Sequence, residues 1–180
     1  MQIKVRIRGL TPLLMNRFTE QAEIDVSSGS RISIRAKNGS PREEAEAKCY
    51  KDHDGNLYIP GTNIFAALVG AGVFHKVGRS KLTTQKSSLI PAGIAVIELV
   101  CPLEARGWEV DSRSVVVPAT GGRIMCHRPR VDEWEASFTL EVDEEMFNEK
   151  TVRMLVNDAG KKIGLGDYRP QRKGPFGRFS

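Results

Sequence analysis

The chain has 180 residues, of which 40% are hydrophobic and 27% are charged, a composition typical of one globular domain that can bury a core. Its longest nearly apolar stretch, residues 64–74, is shorter than the roughly 18 residues that a membrane span needs, and the first residues lack the apolar core of a signal peptide. Three cysteines without C-x-x-C spacing indicate neither a disulfide framework nor a zinc site. We therefore expect a soluble, cytoplasmic protein that holds no metal or cofactor.

The net charge of +5 is unevenly distributed along the chain. Residues 160–180 carry six lysines and arginines against one acidic residue, Asp167, so this segment alone has an excess of +5. Residues 132–149 contain eight acidic residues and no cation. The C-terminal segment is therefore expected to attract phosphates, whereas the acidic block is expected to repel them and to favour a basic neighbour.

The hydrophobic pattern of the first half predicts a strand, an insertion, a helix and a second strand. In the first strand Ile3, Val5 and Ile7 face the core, and the cations between them face outward. Thr62 is the expected N-cap of the long helix. In chain order the predicted elements are a strand at 2–8, a loop at 9–17, a short helix at 42–48, a tight turn at 52–55, a helix at 62–76 and a strand at 94–100.

The second half predicts a glycine-tipped hairpin, a third strand, a helix and a closing strand. Asp143 is the expected N-cap of that helix. The predicted elements are hairpin strands at 113–117 and 123–127, a strand at 136–142, a helix at 143–160 and a strand near 176–179. Without the insertions, the order is β-α-β-β-α-β, which predicts a single α+β domain over 1–180 with a ferredoxin-like (RRM-like) core. The insertions cover about 19–58 and 104–132, the second forming an inserted hairpin.

The segment from Gly160 to Phe179 combines five glycines with six basic residues. Glycines let backbone N–H groups approach an anion, and the cations add long-range attraction. Tyr168, Phe176 and Phe179 offer rings on which unpaired bases could stack, although we expect at least one phenylalanine to close the core. The spacing fits neither a P-loop nor a dinucleotide fingerprint. The composition therefore favours single-stranded nucleic acid as the ligand.

Three segments of the chain match the motifs of one known family. The strand that runs into Leu10-Thr-Pro-Leu-Leu14 resembles that family's first strand and its s/t-P-L loop. The segment Ile59-Pro-Gly-Thr-Asn-Ile-Phe-Ala-Ala-Leu68 resembles the start of its first helix, with Asn63 and Ala66 in place of a serine and a glycine. Gly160-Lys-Lys-Ile-Gly-Leu-Gly166, followed by 174–179, resembles its glycine-rich loop and closing strand. The chain thus resembles the RAMP (repeat-associated mysterious protein) superfamily, in particular the backbone subunits of CRISPR effector complexes that assemble along guide RNA.

The resemblance implies a noncatalytic subunit that oligomerises head to tail along guide RNA, presents the bases for target pairing and contacts other effector subunits. It also implies that the inserted hairpin is a thumb that kinks the guide, with Met125 as a wedge. The candidate nucleic-acid contacts are Lys4, Arg6, Arg8, Arg17, Arg123, Met125, His127, Arg128, Arg130, Lys161, Lys162, Gly164, Gly166, Tyr168, Arg169, Arg172, Lys173 and Arg178.

Two other functions stay open at this point. The first is an RNase, either metal-independent with His127 as general acid/base or of the type in which a backbone subunit cuts target RNA with an aspartate, here Asp25. The second is a phage-type single-stranded DNA-binding protein on the same fold. RNA differs from DNA by its 2′-OH, and no residue pattern in the sequence decides between the two.

Overall fold

The computed structural model describes residues 1–19, 27, 39–116 and 120–180. The helices are α1 (Pro41–Ala47), α2 (Gly61–Ala71), α3 (Ile90–Gly93) and α4 (Glu149–Asp158). The strands are β1 (Gln2–Arg8), β2 (Leu13–Leu14), β3 (Tyr58–Pro60), β4 (Lys76–Val77), β5 (Ser80–Lys81), β6 (Ile94–Val96), β7 (Val100–Ala105), β8 (Glu109–Val116), β9 (Arg123–Val131) and β10 (Trp134–Val142). Helices and antiparallel sheets in one chain confirm the predicted α+β class.

The main sheet is antiparallel, with strand order β1-β10-β7-β3 and with β6 also paired to β10. The alternation that predicts β1 sets its register, because Ile3, Val5 and Ile7 lie opposite Leu140, Phe138 and Ala136. All six side chains belong to or pack against the core, in which α2 and α4 bury Ile64, Leu68, Val152 and Leu155. The opposite face of β1 is exposed and polar.

The predicted N-caps of the two longer helices are both wrong. Helix α2 begins at Gly61, directly after Pro60, so Thr62 is inside the helix and does not cap it. The helix ends at Ala71 and continues as a 3₁₀ turn to Phe74 rather than running to residue 76. Asn148, not Asp143, caps α4 by accepting a hydrogen bond from the Thr151 N–H.

The predicted closing strand is much shorter than expected. Phe179 forms a single antiparallel bridge with Gly9, and Arg8 and Ser180 exchange two backbone hydrogen bonds of 2.9 and 3.0 Å. The end of the chain therefore lies at the free edge of β1, without forming a regular fourth strand of a ferredoxin-like sheet.

The predicted hairpin is confirmed as β8 and β9, which pair from Glu109↔Arg130 to Val116↔Arg123. Its tip, residues 117–119, lies outside the described residues, as do 20–26 and 28–38 of the first insertion. The predicted short helix of that insertion is α1, with a capping box between Ser40 and Glu43. Lys48 fixes α1 to β9 because its Nζ donates to the His127 carbonyl at 2.8 Å.

Glu98 lies between β6 and β7, where the N–H of Thr139 in β10 has no carbonyl of a neighbouring strand to donate to. Its side chain supplies the acceptor instead. The Glu98 carboxylate accepts from the Thr139 N–H and hydroxyl, both at 2.7 Å. The backbone hydrogen bond from Thr139 is the main cause that holds the pKa of Glu98 below its usual value, against a smaller opposing effect of burial.

None of the helices in the described residues has the length and apolar content that a membrane span requires.

We expect Glu98→Ala to lower the free energy of unfolding by about 1 kcal/mol at neutral pH, because a β10 N–H loses its acceptor. Because the folded-state pKa is depressed, the stabilisation is present above the unfolded pKa and is lost as the pH falls through the folded pKa. The difference between wild type and variant should therefore shrink below about pH 4.3. Urea denaturation at several pH values measures it, and Glu98→Gln, which keeps an acceptor, is the control.

Candidate nucleic-acid interface

A cleft of about 220 Å³ brings together the three segments singled out in the sequence. The loop after β2 contributes Asn16, helix α2 contributes Asn63 and Ala67, and the glycine-rich loop contributes residues 163–167. Tyr50 and the pair Arg169 and Gln171 complete its wall. Segments that lie more than a hundred residues apart in sequence therefore form one polar surface.

Close packing fixes the glycine-rich loop at the floor of the cleft. A π-helical turn, Ala159–Ile163, ends where the Gly164 N–H donates to the Ala159 carbonyl at 2.7 Å. Gly166 has φ 73°, and a Cβ there would collide with the Leu14 carbonyl. Most loop N–H groups are used internally, but that of Gly166 donates to no group of the described residues. Glycine is thus required here by the close packing against Leu14.

Arg169 is a half-buried cation at the wall of the cleft. Its guanidinium donates to the Gly166 carbonyl and to Gln171 Oε1, both at 2.9 Å. Burial is the main cause that lowers the pKa of Arg169, the nearby Arg172 lowers it further, and Asp167 offsets part of this. The side chain is thus held in position by neutral acceptors, so its charge is available to an anion.

Further predicted contacts are cations without partners, and two of them, Arg17 and Arg172, are next in sequence to residues that line the cleft. The side chains of Arg17, Lys161, Arg172 and Lys173 form no ion pair or hydrogen bond in the part of the chain that the structure describes. Lys161, Arg172 and Lys173 are exposed, and Lys173 lies in the left-handed region at φ 62°. Free surface cations next to a half-buried one are the charge distribution that a polyanion requires.

Among the three aromatic residues of the C-terminal segment, only Tyr168 is available for stacking. It is 40% exposed, with its ring centroid 6.0 Å from that of Phe176. Phe176 is buried beneath Arg113, and Phe179 is buried 6.3 Å from Trp134. Both phenylalanines close the core, so neither offers a face to a base.

Arg128, which the sequence predicts as a phosphate contact, is instead a buried structural cation. It is 5% exposed, donates to Asp167 Oδ2 at 2.8 Å and lies 3.8 Å from Asp111 Oδ1. Burial alone would raise the pKa of Asp167, but hydrogen bonds from Arg128, the Tyr168 N–H and Asn16 hold it below its usual value. The ion pair joins the hairpin to the glycine-rich loop.

The exposed face of the hairpin presents Arg123, Met125 and His127 in one row. Met125 is 54% exposed, and Arg123 donates to Ser114 Oγ. His127 Nδ1 lies 2.7 Å from Ser112 Oγ. Arg130, two residues beyond Arg128, is instead bound by Asp132 and Glu109.

Some predicted contacts are occupied by protein groups. Arg6 binds Glu104 and Glu135, and the latter also lies 3.8 Å from Arg8. Lys162 binds Asp158, and Arg178 donates twice to the Lys161 carbonyl. The outer sheet face, which includes Lys4, therefore carries mixed charge, unlike the unpaired cations near the cleft.

Of the two catalytic candidates, Asp25 lies outside the described residues. The His127 ring contacts the Ser112 hydroxyl, and no carboxylate of the described residues forms a hydrogen bond with the ring. No cluster of three or more metal-ligating side chains occurs among the residues that the structure describes. The sequence did not single out Asn16, Tyr50 or Gln171, because neutral polar residues in loops carry no signal until the fold gathers them.

Comparison of the fold with solved structures identifies its type. A chain from the cryo-EM structure of the Type III-B Cmr-beta bound to cognate target RNA superposes with a TM-score of 0.54, over 99% of this chain and 57% of that chain. The two chains share a fold. The two sequences are 12% identical, and this chain spans somewhat more than half of the matched one.

A second solved structure, Cmr6 from Pyrococcus furiosus, superposes with a TM-score of 0.43 at 12% identity, over 99% of this chain and 97% of that one. No protein-family model and no curated protein matches the sequence. The resemblance based on three short segments is supported by the fold shared with the Cmr-beta chain, and 12% identity establishes the fold alone.

Proposed function

We propose that this protein is a noncatalytic subunit of a CRISPR effector-type ribonucleoprotein that binds single-stranded guide RNA by its sugar–phosphate backbone. The cleft carries the proposal, because it combines the half-buried guanidinium of Arg169, which donates to neutral acceptors, with the Gly166 N–H, which has no partner among the described residues. Both groups recognise phosphate oxygens. The amides of Asn16, Asn63 and Gln171 add neutral donors for ribose and phosphate.

Backbone recognition leaves the base edges available for pairing with a target. Tyr168 and the exposed row on the hairpin lie on elements that flank the cleft, so the hairpin is the proposed thumb and Met125 its wedge. Head-to-tail self-association along the RNA and contacts with other effector subunits belong to the same proposal. The structural relative bound to target RNA is consistent with this ligand class.

The test is the salt dependence of binding to a labelled single-stranded RNA. Each neutralised phosphate on a single strand contributes about −0.7 to the slope of log affinity against log salt. The double variant Arg169→Gln/Arg172→Gln should bind about tenfold or more weakly at low salt, with a slope reduced by about 1.4. Fluorescence anisotropy from low to high salt measures both quantities.

The matched control is Arg106→Gln/Lys150→Gln, which removes the same charge from two exposed side chains without described partners. It should leave the slope nearly unchanged. An equal loss in both variants would show that net charge, rather than the cleft, drives binding. The RNase alternative is tested by incubating the protein with labelled RNA, with and without EDTA. Cleavage that disappears in His127→Ala or Asp25→Ala would establish it. Preferential binding of DNA of equal length would establish the DNA-binding protein.

A further inference from the structure

A second basic surface lies on the β4–β5 hairpin and the turn that follows it. From Gly55 to Ile97 the sequence contains no aspartate or glutamate, and its four lysines and arginines all fall between residues 76 and 86. We call Lys76, Arg79, Lys81 and Lys86 the basic hairpin surface. All four are exposed, and none forms an ion pair with any residue that the structure describes.

Hydrogen bonds to the core hold this surface in place. Leu82 is buried and its N–H donates to the His75 carbonyl at 2.9 Å, while the Thr83 N–H donates to the Gly72 carbonyl at 3.2 Å. The Thr83 and Ser88 hydroxyls meet at 2.8 Å across the next turn. Two tight turns fixed to the core therefore carry Arg79 and Lys86.

The hairpin also contains an unfavourable charge arrangement. Lys76 and Lys81 are directly opposite each other in the antiparallel pair, and like charges in that position destabilise a two-stranded ribbon. No described carboxylate compensates for the repulsion. An arrangement that costs stability in the free protein is relieved when a polyanion lies across both lysines.

An RNA strand that is bound in the cleft can also reach the basic hairpin surface. Ala67 lines the cleft, and Phe74 follows seven residues later at the end of the same helical segment, which corresponds to about 12 Å. The exposed Phe74 ring lies 4.5 Å from Lys162 Nζ, on the turn that leads into the glycine-rich loop. The residue that precedes the basic hairpin by two positions therefore lies beside the turn that leads into the glycine-rich loop, with Asp158 bound to both His75 and Lys162.

We propose that the basic hairpin surface is a second contact for the sugar–phosphate backbone of single-stranded nucleic acid, outside the cleft. Its ligand class rests on the proposed function. The lysines bind phosphates as point charges, and the hydroxyls of the turns add neutral donors. Neither carries base-reading geometry, so the contact is independent of sequence.

The experiment compares oligouridines of about 5 and about 30 nucleotides, the first able to occupy one site and the second able to span both. For the long RNA, Lys76→Gln/Lys81→Gln should reduce the salt slope by about 1.4 and the affinity several-fold. Affinity for the short RNA should stay at the wild-type value. Arg106→Gln/Lys150→Gln is again the control. Without RNA, Lys81→Gln alone should raise Tm by about 1–3 °C, because the like-charge pair is removed.

The outcomes separate this inference from the proposed function. If wild-type protein binds no oligonucleotide, the proposed function fails. If binding weakens in the Arg169→Gln/Arg172→Gln variant while the hairpin variant keeps the wild-type slope on long RNA, the inference alone is overturned. It is also overturned if the hairpin variant loses self-association in sedimentation but binds RNA normally, since the surface then contacts an acidic protein face.

Discussion

Replacing Arg128 with methionine is expected to lower the free energy of unfolding by about 3 kcal/mol at neutral pH. Removing one partner of a buried ion pair typically costs about 3–5 kcal/mol, because the other charge remains buried. The lower end applies here, since Asp111 keeps two hydrogen bonds from Arg113 and Asp167 keeps those from Asn16 and the Tyr168 N–H. Urea denaturation followed by circular dichroism measures the change.

The control for this prediction is Arg130→Met, on the same strand two residues away. Arg130 is paired with Asp132 and Glu109 at the surface, and exposed pairs contribute at most about 1 kcal/mol. Equal losses of unfolding free energy in the two variants would contradict the conclusion that Arg128 is a buried structural cation. Because the folded-state pKa of Asp167 is depressed, its contribution is present above its unfolded pKa and is lost as the pH falls through the folded value. The Arg128→Met deficit should therefore shrink below about pH 4.

The contrast between Arg128 and Arg130 shows what the sequence cannot predict. Both are arginines in the same alternating stretch, and a period of two places them on the same face of the strand. Their roles differ because Asp167, 39 residues later, reaches only Arg128. The same holds for Arg6, whose carboxylate partners come from strands about a hundred residues away. Side-chain pairing across distant segments leaves no local signal.

The prediction that a helix begins at residue 143 was wrong for a related reason. Asp143 and Asn148 are both good N-cap residues, so local preference does not choose between them. Tertiary contacts do: Phe147 is buried, and its ring packs so closely on Gly93 that a Cβ there would lie 2.7 Å from it. The Asp143 N–H also donates to the Gly93 carbonyl. The chain turns at 143–147 to bury that ring, and the helix begins only afterwards.

The sequence predicted well what depends on short repeats. The alternation in β1 and β10 defined two strands whose register buries the expected face, and the glycine-tipped hairpin was predicted by its turn residues. That the loop after β2, the start of α2 and the glycine-rich loop meet in one cleft was not predicted, and only the fold shows it. Composition predicted a basic C-terminal segment, but only the fold shows which of its cations remain unpaired.

Gly177→Ala is expected to lower the free energy of unfolding by about 3–4 kcal/mol. The position has φ 70°, which costs an ordinary residue about 1–2 kcal/mol, and a Cβ there would collide with the Leu165 carbonyl. The two segments cannot separate freely, since the Leu165 N–H donates to the Gly177 carbonyl and the Gly177 N–H donates to the Pro12 carbonyl. The backbone must shift, and overpacking adds about 1–3 kcal/mol.

Gly55→Ala separates the two causes of this loss. Gly55 has φ 83°, but a Cβ at this position would meet no atom within 4 Å, so only the conformational cost of about 1–2 kcal/mol applies. Urea denaturation of both variants measures the difference, which we expect to be at least about 1 kcal/mol. Because Gly177 joins the closing segment to the cleft floor, folded Gly177→Ala protein should also bind RNA more weakly, whereas Gly55→Ala should bind as wild type. Equal stability losses would show that packing against the Leu165 backbone is not what requires glycine at 177.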